Sequence, residues 1–529
     1  MARKIFFTAL FGLPLLVGLL ASRWPTLWWT LVPIAPLLLV GLHDVLQTRH
    51  SLLRVYPVVG HGRYLLESFR PEIQQYFVET NLDGAPFGRE ARSLIYARAK
   101  HESDTVPFGT QHLVGEEGYE WMSHSLRPAP MPEEEPRVMV GGPDCTRPYA
   151  ASHLNISAMS FGSLSRPAIL ALNHGARKGN FAHNTGEGGL SPYHMEPGGD
   201  LIWQLGTGYF GCRTRDGNFD AAQFRDKVSA GQVKMVEIKL SQGAKPGHGG
   251  ILPGPKVTKE IAHIRGVPAG EDVISPPAHP RFDTPRGLLE FVQELRTLSD
   301  GKPVGFKLCV GHRTEFLSIC KAMVETGITP DYIAVDGAEG GTGAAPLELS
   351  NSVGMPLRDG LLFVHNALTG AGLRDRLRII ASGKHVSGFD IIRTLALGAD
   401  LVYAARAMMF ALGCIQARRC HNNECPVGVA TQDPSRQVGL VVADKSERVY
   451  RYHKATIHSF LELLSCSGLS SSAELSPEHI LRRVDRDTVL PLSAIHSFLE
   501  PGALLTPGNP LPGDWHKIWR AASAGSFRA

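Results

Sequence analysis

The sequence predicts an α/β protein whose main part is a (β/α)8 barrel, preceded by an N-terminal transmembrane helical hairpin and followed by a C-terminal helical segment. Three observations predict it: two uncharged apolar runs open the chain, about eight short apolar runs then alternate with helical stretches, and glycine-rich turns follow the later runs. Glycine makes up 56 of 529 residues, above the usual share of about 7%. This surplus indicates many tight turns and close backbone approaches, as in loops that bind ligands.

Composition excludes several classes of protein. The charges nearly cancel, with 54 Lys and Arg against 50 Asp and Glu, so no concentrated basic face for nucleic acid is expected. Hydrophobic residues make up 43% and charged residues 20%, which excludes wholesale disorder. Eight cysteines in 529 residues are too few for a disulfide scaffold. We therefore expect a folded protein with no nucleic-acid partner.

The N-terminal hairpin is predicted from the runs Ile5–Ala21 and Leu27–Leu42, neither of which contains a charge. Each is slightly short of the ~20 residues that span a bilayer, but Trp24, Trp28 and Trp29 suit a membrane interface. Basic residues flank the two runs, which indicates that both ends lie in the cytoplasm. A cleaved signal peptide and a buried helical hairpin are the alternatives. The second apolar run argues against secretion, so we expect a membrane anchor with a cytoplasmic catalytic domain.

The barrel is predicted from apolar runs of strand length, each followed by a polar or glycine-rich loop. The predicted strands are Leu154–Met159, Asn180–His183, Leu201–Leu205, Val233–Ile238, Val304–Leu308, Tyr332–Val335, Arg378–Ala381 and Leu401–Tyr403. A doubly wound sheet is the competing α/β fold, since periodicity does not separate the two. The strand count and the position of the glycines favour the barrel.

Three turns after consecutive late strands predict a phosphate-binding cradle. They are Gly340-Gly341-Thr342-Gly343, Ser382-Gly383-Lys384 and Ala405-Arg406. Barrels often bind phosphate through their last loops, where backbone N–H groups and a guanidinium can surround it. We therefore expect a cofactor that carries a phosphate.

Polar side chains inside or directly after apolar strands also need a reason. Lys307 lies within VGFKLCV, Lys239 ends VKMVEIK and Gln204 lies within LIWQLG. A lysine in a barrel strand is costly unless it is paired or faces an anionic ligand. A single lysine of this kind is usually explained by a salt bridge. Because Lys307 and Lys239 both occur at strands of the same predicted barrel, an anionic ligand is favoured.

A cysteine cluster follows the last predicted strand. Cys414, Cys420 and Cys425 have the spacing C-x5-C-x4-C, and Pro426 follows the last of them. This pattern is typical of iron–sulfur loops, and three ligands fit a cluster of three irons or one with an unligated iron. Zinc would need a fourth ligand, for which His421 is available. Three unconnected buried thiols are the remaining alternative.

The chain therefore divides into five expected regions. They are the transmembrane hairpin (1–43), an N-terminal collar or linker (44–150), the cofactor-binding barrel (151–412), the iron–sulfur loop (413–435) and the C-terminal helical segment (436–529). Within the last region, helices are expected at 446–464 and 477–484.

Several motifs in this order resemble one known family. They are SAMSFG at 157–162, NTGEGG at 184–189, EIK at 237–239, QGAKPG at 242–247, SPP at 275–277, GGTG at 340–343 and the cysteine loop. Together they closely resemble the FMN-binding synthase domain of the glutamate synthase family, over about residues 150 to 435.

The resemblance implies a barrel that binds FMN, with a 3Fe–4S cluster held by the three clustered cysteines. It implies that the flavin contacts Ser160, Gln204, Lys239 and Lys307. It also implies that the phosphate is held by Gly340, Gly341, Thr342, Gly383 and Arg406. A lysine near a flavin stabilises the anionic reduced form.

The implied reaction is the reductive amination of 2-oxoglutarate. Ammonia and the oxoacid give 2-iminoglutarate, to which reduced FMN delivers hydride, with electrons relayed through the 3Fe–4S cluster. The resemblance implies that Gln242 and Lys245 bind the oxoacid and that Glu187 and Lys245 are catalytic. A positioned acid must also supply a proton.

Departures from the family leave the substrate and partners open. The sequence shows no glutaminase region, so ammonia is expected from solution or from a separate amidotransferase subunit. No dinucleotide fingerprint is present, so the electron donor is expected to be another protein or a reductase subunit. His248 and Ile251 stand where the family has acidic and amide side chains near the oxoacid. Alternative functions are the same chemistry on another amine or oxoacid, as in N-methylglutamate synthases, and membrane electron transfer by FMN and the cluster.

Overall fold

The computed structural model describes residues 2–528, and contacts divide the chain into two compact units between Arg89 and Glu90. The helices of the first unit are α1 (Ala2–Ala21), α2 (Leu31–Leu46), α3 (Ser51–Val55) and α4 (Gly60–Ile73). A 3-10 helix (Pro25–Thr30) precedes α2, and a π-helical turn (Gln74–Val78) continues α4. The contacts therefore group residues 44–89 with the hairpin and residues 90–150 with the barrel.

The N-terminal hairpin has the length and composition that a membrane span needs. Two helical stretches, Ala2–Ala21 and Pro25–Leu46, are long and apolar enough to cross a bilayer, a test that a signal sequence also passes. Only 11% and 17% of their most apolar windows are buried inside the protein. Because so little is covered, the alternative of a buried helical hairpin is not supported.

The second unit begins at α5 and contains the barrel with its additions. Before the barrel lie α5 (Arg89–Lys100), β1 (Glu120–Met122), β2 (Val138–Val140) and β3 (Tyr149–Ala151). The first half of the barrel comprises β4 (Leu154–Ile156), α6 (Arg166–Gly179), β5 (His183–Asn184), α7 (Pro192–Met195), β6 (Leu201–Leu205), α8 (Ala221–Val228) and β7 (Val233–Lys239). An insertion follows, with β8 (Ile251–Leu252), a 3-10 turn (Gly254–Lys256), α9 (Lys259–Arg265) and β9 (Val273–Ile274).

The second half of the barrel and the C-terminal segment complete the unit. The barrel continues with α10 (Pro285–Leu298), β10 (Val304–Leu308), α11 (Arg313–Thr326), β11 (Tyr332–Asp336), α12 (Leu347–Ser352), α13 (Leu357–Gly370), a 3-10 turn (Arg374–Arg376), β12 (Arg378–Ser382), α14 (Gly388–Ala396), β13 (Leu401–Ala404) and α15 (Arg406–Leu412). The C-terminal elements are α16 (Pro434–Gln437), α17 (Val442–Cys466), two 3-10 turns (Ser472–Glu474 and Pro477–His479), β14 (Ile480–Arg483), β15 (Val489–Pro491), α18 (Leu492–Ile495) and α19 (Trp515–Ala521).

The eight predicted barrel strands are confirmed. They form one closed sheet in the order β4-β5-β6-β7-β10-β11-β12-β13, and β13 closes onto β4. Every neighbouring pair is parallel. The doubly wound alternative is therefore excluded. Strand ends differ from the prediction by a few residues, most at β5, which has only two residues before its loop begins.

Apolar side chains fill the amino end of the barrel. The buried cluster consists of Val140, Ala151, Ala182, Ile202, Met235, Tyr332, Ala334, Ile380, Leu401 and Tyr403. Two of these residues come from the antiparallel β2–β3 pair, which contributes to the core from outside the barrel. The loops at the carboxyl ends of the strands are therefore left to build a site, as in other barrels of this kind.

The C-terminal segment corrects one prediction. The stretch 477–484 is predicted to be helical, but only its first turn is, and Ile480–Arg483 form strand β14. This strand pairs antiparallel with β1 and β15, and Ile480 is buried. Pairing with distant strands outweighs local helix preference here. The prediction of a long helix at 446–464 is confirmed within α17, so the segment is partly helix and partly strand.

Buried histidines predict that the barrel unit loses stability in acid. Burial lowers the pKa of His279 and of His453 to about 4, below the ordinary value of about 6.5. A group whose pKa is lowered on folding binds more protons when unfolded, so stability falls as pH drops from about 6.5 towards 4. We expect a loss on the order of 2 kcal/mol per histidine between pH 7 and 5, seen as a lower urea midpoint.

A matched pair of variants isolates this effect. His453→Gln should flatten the pH dependence, whereas His516→Gln, on an exposed side chain, should leave it unchanged. A urea midpoint of the unaltered protein that is constant from pH 7 to 5 would contradict the prediction.

Candidate active site

An ion pair lies at the carboxyl ends of the strands. Lys239 is the last residue of β7, and its Nζ lies 2.7 Å from Oε1 of Glu187, in the loop after β5. Burial opposes ionisation of Glu187, but Lys239 overrides it, so the pKa of the carboxyl lies below its usual value. Burial lowers the pKa of Lys239, and Glu187 opposes this shift. The pair is therefore a carboxylate and an ammonium held together by mutual attraction.

Two further cations act on Glu187. Lys245 lies in the loop after β7, and its Nζ donates to the carbonyl of Ala344 at 2.8 Å. Burial lowers the pKa of Lys245 to about 8, although Glu187 opposes this. Arg265 ends α9, and burial lowers its pKa to about 10, again against Glu187. The site thus brings together three buried cations and one carboxylate.

Glycines allow the backbone to approach Glu187 closely. A Cβ on Gly250 would lie 2.3 Å from Oε1 of Glu187, and one on Gly206 would lie 2.7 Å from its Cβ. Both distances are too short for any side chain. The loops after β6 and before β8 therefore close around the carboxylate because these two positions are glycine.

A buried carboxyl positions Gln204. Oε1 of Glu237 accepts hydrogen bonds from Nε2 of Gln204 at 2.7 Å and from Nδ2 of Asn184 at 2.9 Å. Burial raises the pKa of Glu237, and Lys307 opposes the shift. Since the amide N–H of Gln204 is engaged by Glu237, its carbonyl oxygen is left to accept from a ligand.

Contacts of Asp336 and Gln242 join the loops at the carboxyl ends of β7 and β11. Asp336 ends β11; its Oδ2 accepts from the backbone N–H of Gly243 at 2.9 Å and lies 3.9 Å from Nζ of Lys307. Nε2 of Gln242 lies 3.4 Å from Oγ1 of Thr342, on the exposed rim. The predicted oxoacid and phosphate loops are therefore neighbours.

The predicted phosphate cradle is built around Arg406, which begins α15. Its Nη2 donates to the carbonyl of Glu339 at 2.6 Å. A Cβ on Gly341 would lie 2.8 Å from Nε of Arg406, so only glycine lets this loop and the guanidinium come so close. Gly340 is held by a hydrogen bond from its N–H to the carbonyl of Gly337 at 2.8 Å. Gly383 follows the neighbouring strand β12. Exposed glycine backbone beside a guanidinium fits an anionic phosphate.

The three clustered cysteines are free thiols that act on one another. Burial raises the pKa of Cys414 to about 12, and Cys420 and Cys425 add to the shift. The loop between them includes Gln416, with φ of 57°, and Asn423, with φ of 67°. Non-glycine residues adopt such values rarely, so the loop is tightly wound.

The cysteine loop supplies donors for either an iron–sulfur cluster or a zinc ion. Among residues 2–528, no three or more His, Cys, Asp and Glu side chains are arranged around a single ion. The buried Lys256 interacts electrostatically with Cys420 and Cys425, and its ammonium would stabilise the net negative charge of a multi-iron cluster held there.

One loop connects the cations around Glu187 with the cysteine group. Oγ of Ser160 accepts from Nη2 of Arg265 at 3.3 Å and donates to Oγ of Ser163 at 3.1 Å. The carbonyl of Ser163 accepts from Nζ of Lys256 at 3.0 Å. Ser160 therefore lies between the two groups, next to the pocket cation Arg265.

Sequence reasoning missed two residues of this site. Arg265 is a basic residue in the last turn of a helix, which ordinarily complements the helix dipole and so carries no signal of a site. Lys256 follows a Pro-Gly-Pro stretch that reads as a loop. For the site as a whole, the sequence did offer one further signal: Glu237 is a carboxylate inside an apolar strand, directly before Ile238 and Lys239. Of the two unusual family positions, Ile251 lies in β8, and Nδ1 of His248 lies 2.8 Å from the carbonyl of Gly249.

Comparisons with known proteins were made for the whole chain. Residues 134–470 match the conserved region in glutamate synthase. The chain is 36% identical over 510 residues to the glutamate synthase large subunit-like protein YerD of Bacillus subtilis, covering 88% of this chain and 97% of YerD. It is 36% identical over 320 residues to the archaeal-type NADPH glutamate synthase of Thermotoga neapolitana, and covers 60% of that protein's length. A crystal structure of mandelate oxidase with (S)-4-hydroxymandelic acid is 14% identical, with a TM-score of 0.44 over 80% of this chain and 99% of the other.

Proposed function

Since the chain belongs to the glutamate synthase family, we propose that it is an oxidoreductase that reductively aminates 2-oxoglutarate or a closely related oxoacid. One observation carries the proposal: Lys239, Lys245 and Arg265 surround the single carboxylate of Glu187. Three cations for one anion leave an excess of positive charge in a buried site, which an anionic ligand would neutralise.

The oxoacid is held by its carboxylates. Lys245 and Arg265 are the cations that Glu187 does not contact directly, so they are the ones available for a ligand. Arg265 is fixed by its bonds to Ser160 and to the carbonyl of Phe161 at 3.2 Å. A fixed guanidinium binds a carboxylate with little loss of freedom. Gln242, on the rim beside Thr342, completes the polar lining.

The proton for the reaction is held on the Lys239–Glu187 pair. Because Lys239 keeps the carboxyl of Glu187 ionised, the proton resides on Nζ of the lysine. A lysine whose pKa is lowered by burial gives up its proton more readily than an exposed one. Glu187 therefore acts by keeping Lys239 charged and in place.

The residues present fit FMN and a 3Fe–4S cluster. Ser160, Gln204, Lys239 and Lys307 would contact the flavin, and Gly340, Gly341, Thr342, Gly383 and Arg406 would hold its phosphate. Cys414, Cys420 and Cys425 would hold the cluster. When bound and reduced, FMN supplies the hydride that an imine needs. An electron-donor protein or reductase subunit would supply electrons, and ammonia would come from solution or from a separate amidotransferase subunit.

We also propose that the hairpin α1–α2 anchors the enzyme in a membrane, with its catalytic part in the cytoplasm. Two helices of spanning length that are mostly uncovered support this. Basic residues flank both helices, as the positive-inside rule requires.

The test is an anaerobic half-reaction with the detergent-purified protein. The flavin absorbance is bleached with a chemical reductant, and 2-oxoglutarate with ammonium is then added. We expect the absorbance to return and glutamate to form in equal amount. A flavin absorbance that stays bleached with every tested pair of oxoacid and amine would overturn the proposal.

A second candidate substrate pair is favoured by His248 and Ile251. Neither offers the acidic or amide side chain expected beside the oxoacid, which would weaken selection for 2-oxoglutarate and ammonia. Methylamine in place of ammonium is therefore the second arm of the half-reaction. Faster return of absorbance with methylamine, and N-methylglutamate as product, would favour this reading. If the flavin absorbance returned with a membrane electron acceptor and with no oxoacid or amine, the result would instead indicate electron transfer.

The pKa of Lys245 predicts an alkaline limit for oxoacid binding. Its ammonium form, which binds a carboxylate, is lost as pH rises through about 8. We expect kcat/KM for the oxoacid to fall about tenfold per pH unit above this value. Lys245→Arg should remove the limit, because a guanidinium stays charged. A pH profile of Lys245→Arg that matches the unaltered enzyme would contradict the assignment.

Loss of Arg406 should release the cofactor. Arg406→Ala removes the guanidinium beside Gly341, and a hydrogen bond to a charged group contributes about 1.5–3 kcal/mol. We expect FMN affinity to fall roughly tenfold to a hundredfold, measured by flavin fluorescence on titration of the apoprotein. The FMN affinity of Arg406→Lys should lie between that of Arg406→Ala and that of the unaltered protein. Arg520→Ala, on the surface, should bind FMN as tightly as the unaltered protein. An FMN affinity of Arg406→Ala equal to that of the unaltered protein would count against the cradle.

A further inference from the structure

Helix α4 and its π-helical turn present an apolar face that nothing in the first unit covers. Leu65, Phe69 and Ile73 are spaced by four residues and so lie along one side of the helix. The exposed apolar side chains of this face are Leu65, Leu66, Phe69, Ile73, Tyr76 and Phe77, with exposures from 43% for Ile73 to 84% for Phe77. A contiguous exposed face of this size marks an interaction surface.

Apart from Tyr64, the rest of α4 is mostly polar, and the exposed Glu72 borders the apolar face, so the helix as a whole is amphipathic. Arg63, Glu67 and Arg70 follow a different side of the helix, and the side chains of Glu67 and Arg70 are 53% and 77% exposed. A helix with one apolar and one charged face, and little net hydrophobicity, is the kind that lies in the plane of a membrane surface. Tyrosine at the edge of such a face, as at Tyr76, is typical of the lipid headgroup region.

A buried contact fixes where α4 begins. Asp44 in the last turn of α2 is fully buried, and both of its carboxylate oxygens lie within 3.0 Å of Nε2 of His61 in the first turn of α4. The backbone N–H of Val58 also donates to Asp44 at 2.9 Å. The apolar face of α4 therefore starts at the cytoplasmic end of the second apolar helix, which is the level at which a bilayer surface would lie.

We propose that α4 and its π-helical turn form an in-plane membrane helix whose apolar face lies among the acyl chains of the cytoplasmic leaflet. The inference rests on the proposed membrane anchoring. The bilayer is favoured over a protein partner because the Asp44–His61 contact places the start of this face at the end of α2, whose apolar side chains are themselves mostly uncovered. Arg63 and Arg70 flank the apolar face, where they can reach anionic headgroups while their stems stay in the apolar layer.

The test uses the full chain in vesicles of phosphatidylcholine with a minority of phosphatidylglycerol. An environment-sensitive fluorescent amino acid replaces Phe69, Glu67 or Leu39, one at a time. Leu39 is 66% exposed in the middle of α2 and reports the hairpin. Two lipid sets are compared: lipids brominated near the headgroup end of the acyl chain quench a probe in the outer acyl layer, and lipids brominated near the chain terminus quench a probe at the bilayer centre, where position 39 is expected. A probe at Phe77 serves if replacement of Phe69 prevents folding.

We expect the probe at position 69 to lose about half of its emission, as a helix buried at the headgroup boundary should. The matched probe at position 67 should lose almost none. Quenching at 39 without quenching at 69 would overturn this inference and leave the anchor intact. No quenching at either position would overturn the anchor as well. A probe at position 69 could instead be shielded from water but unquenched, with an emission that changes with the protein-to-lipid ratio. This result would indicate a second copy of the chain on this face and would also overturn the inference.

Discussion

Glu187→Gln should lower kcat by about 10²- to 10⁴-fold, the range expected when a proton-transfer group is disabled. The amide keeps the shape of the side chain but removes the carboxylate that acts on all three cations. Lys239 then loses the partner at 2.7 Å that keeps it protonated, and its pKa falls further because only the weaker effect of Asp336 still opposes burial. The measurement is the pH profile of kcat and of kcat/KM for the oxoacid.

The pH profile separates this role from a structural one. Glu187 also raises the pKa of Lys245, so Glu187→Gln should move the alkaline limit of kcat/KM from about 8 to lower pH. A simple loss of packing would reduce activity without moving that limit. Glu187→Asp should recover part of kcat, and Glu271→Gln, on an exposed loop, serves as the control. An unshifted alkaline limit would contradict the proposed coupling.

The barrel was predictable because its signal is local. Each strand is a short apolar run that ends at a glycine or a polar residue, and β6 and β10 match the prediction at both ends. The strand β14 was not, because its conformation depends on β1, which lies more than 350 residues earlier. Local preference cannot report a partner so far away.

The same distinction holds within the site. Glu187, Lys239 and Lys245 could be predicted, since each departs from its local pattern or lies in a glycine-rich motif. Arg265 could not, because a helix-ending arginine is ordinary and its meaning depends on how the insertion after β7 folds back. Two glycine positions decide that path: Gly250, whose Cβ would meet Glu187, and Gly243, whose Cβ would lie 1.6 Å from the carbonyl of Gly337. Sequence alone marks both as turns and does not say what approaches them.

Cys420→Ser should abolish the iron–sulfur cluster while leaving flavin bound. A serine oxygen is a poor ligand for iron, and with one of three thiolates removed only two remain. We expect acid-labile sulfide and iron to fall to background and the visible absorbance of the cluster to disappear. FMN content should be unchanged, since the proposed cradle lies on the loops after β11, β12 and β13. Electron entry from a physiological donor should then be lost, although a small chemical reductant would still bleach the flavin.

Controls decide whether the cysteines act as a set. Cys414→Ser and Cys425→Ser should behave like Cys420→Ser, because all three thiols interact electrostatically. Cys466→Ser, at the exposed end of α17, should retain full iron and sulfide. Zinc measured in the same samples tests the alternative directly, and stoichiometric zinc without sulfide would replace the cluster by a mononuclear site. Unchanged iron and sulfide in Cys420→Ser would defeat the assignment, because a cluster that survives loss of this thiol is not held by it.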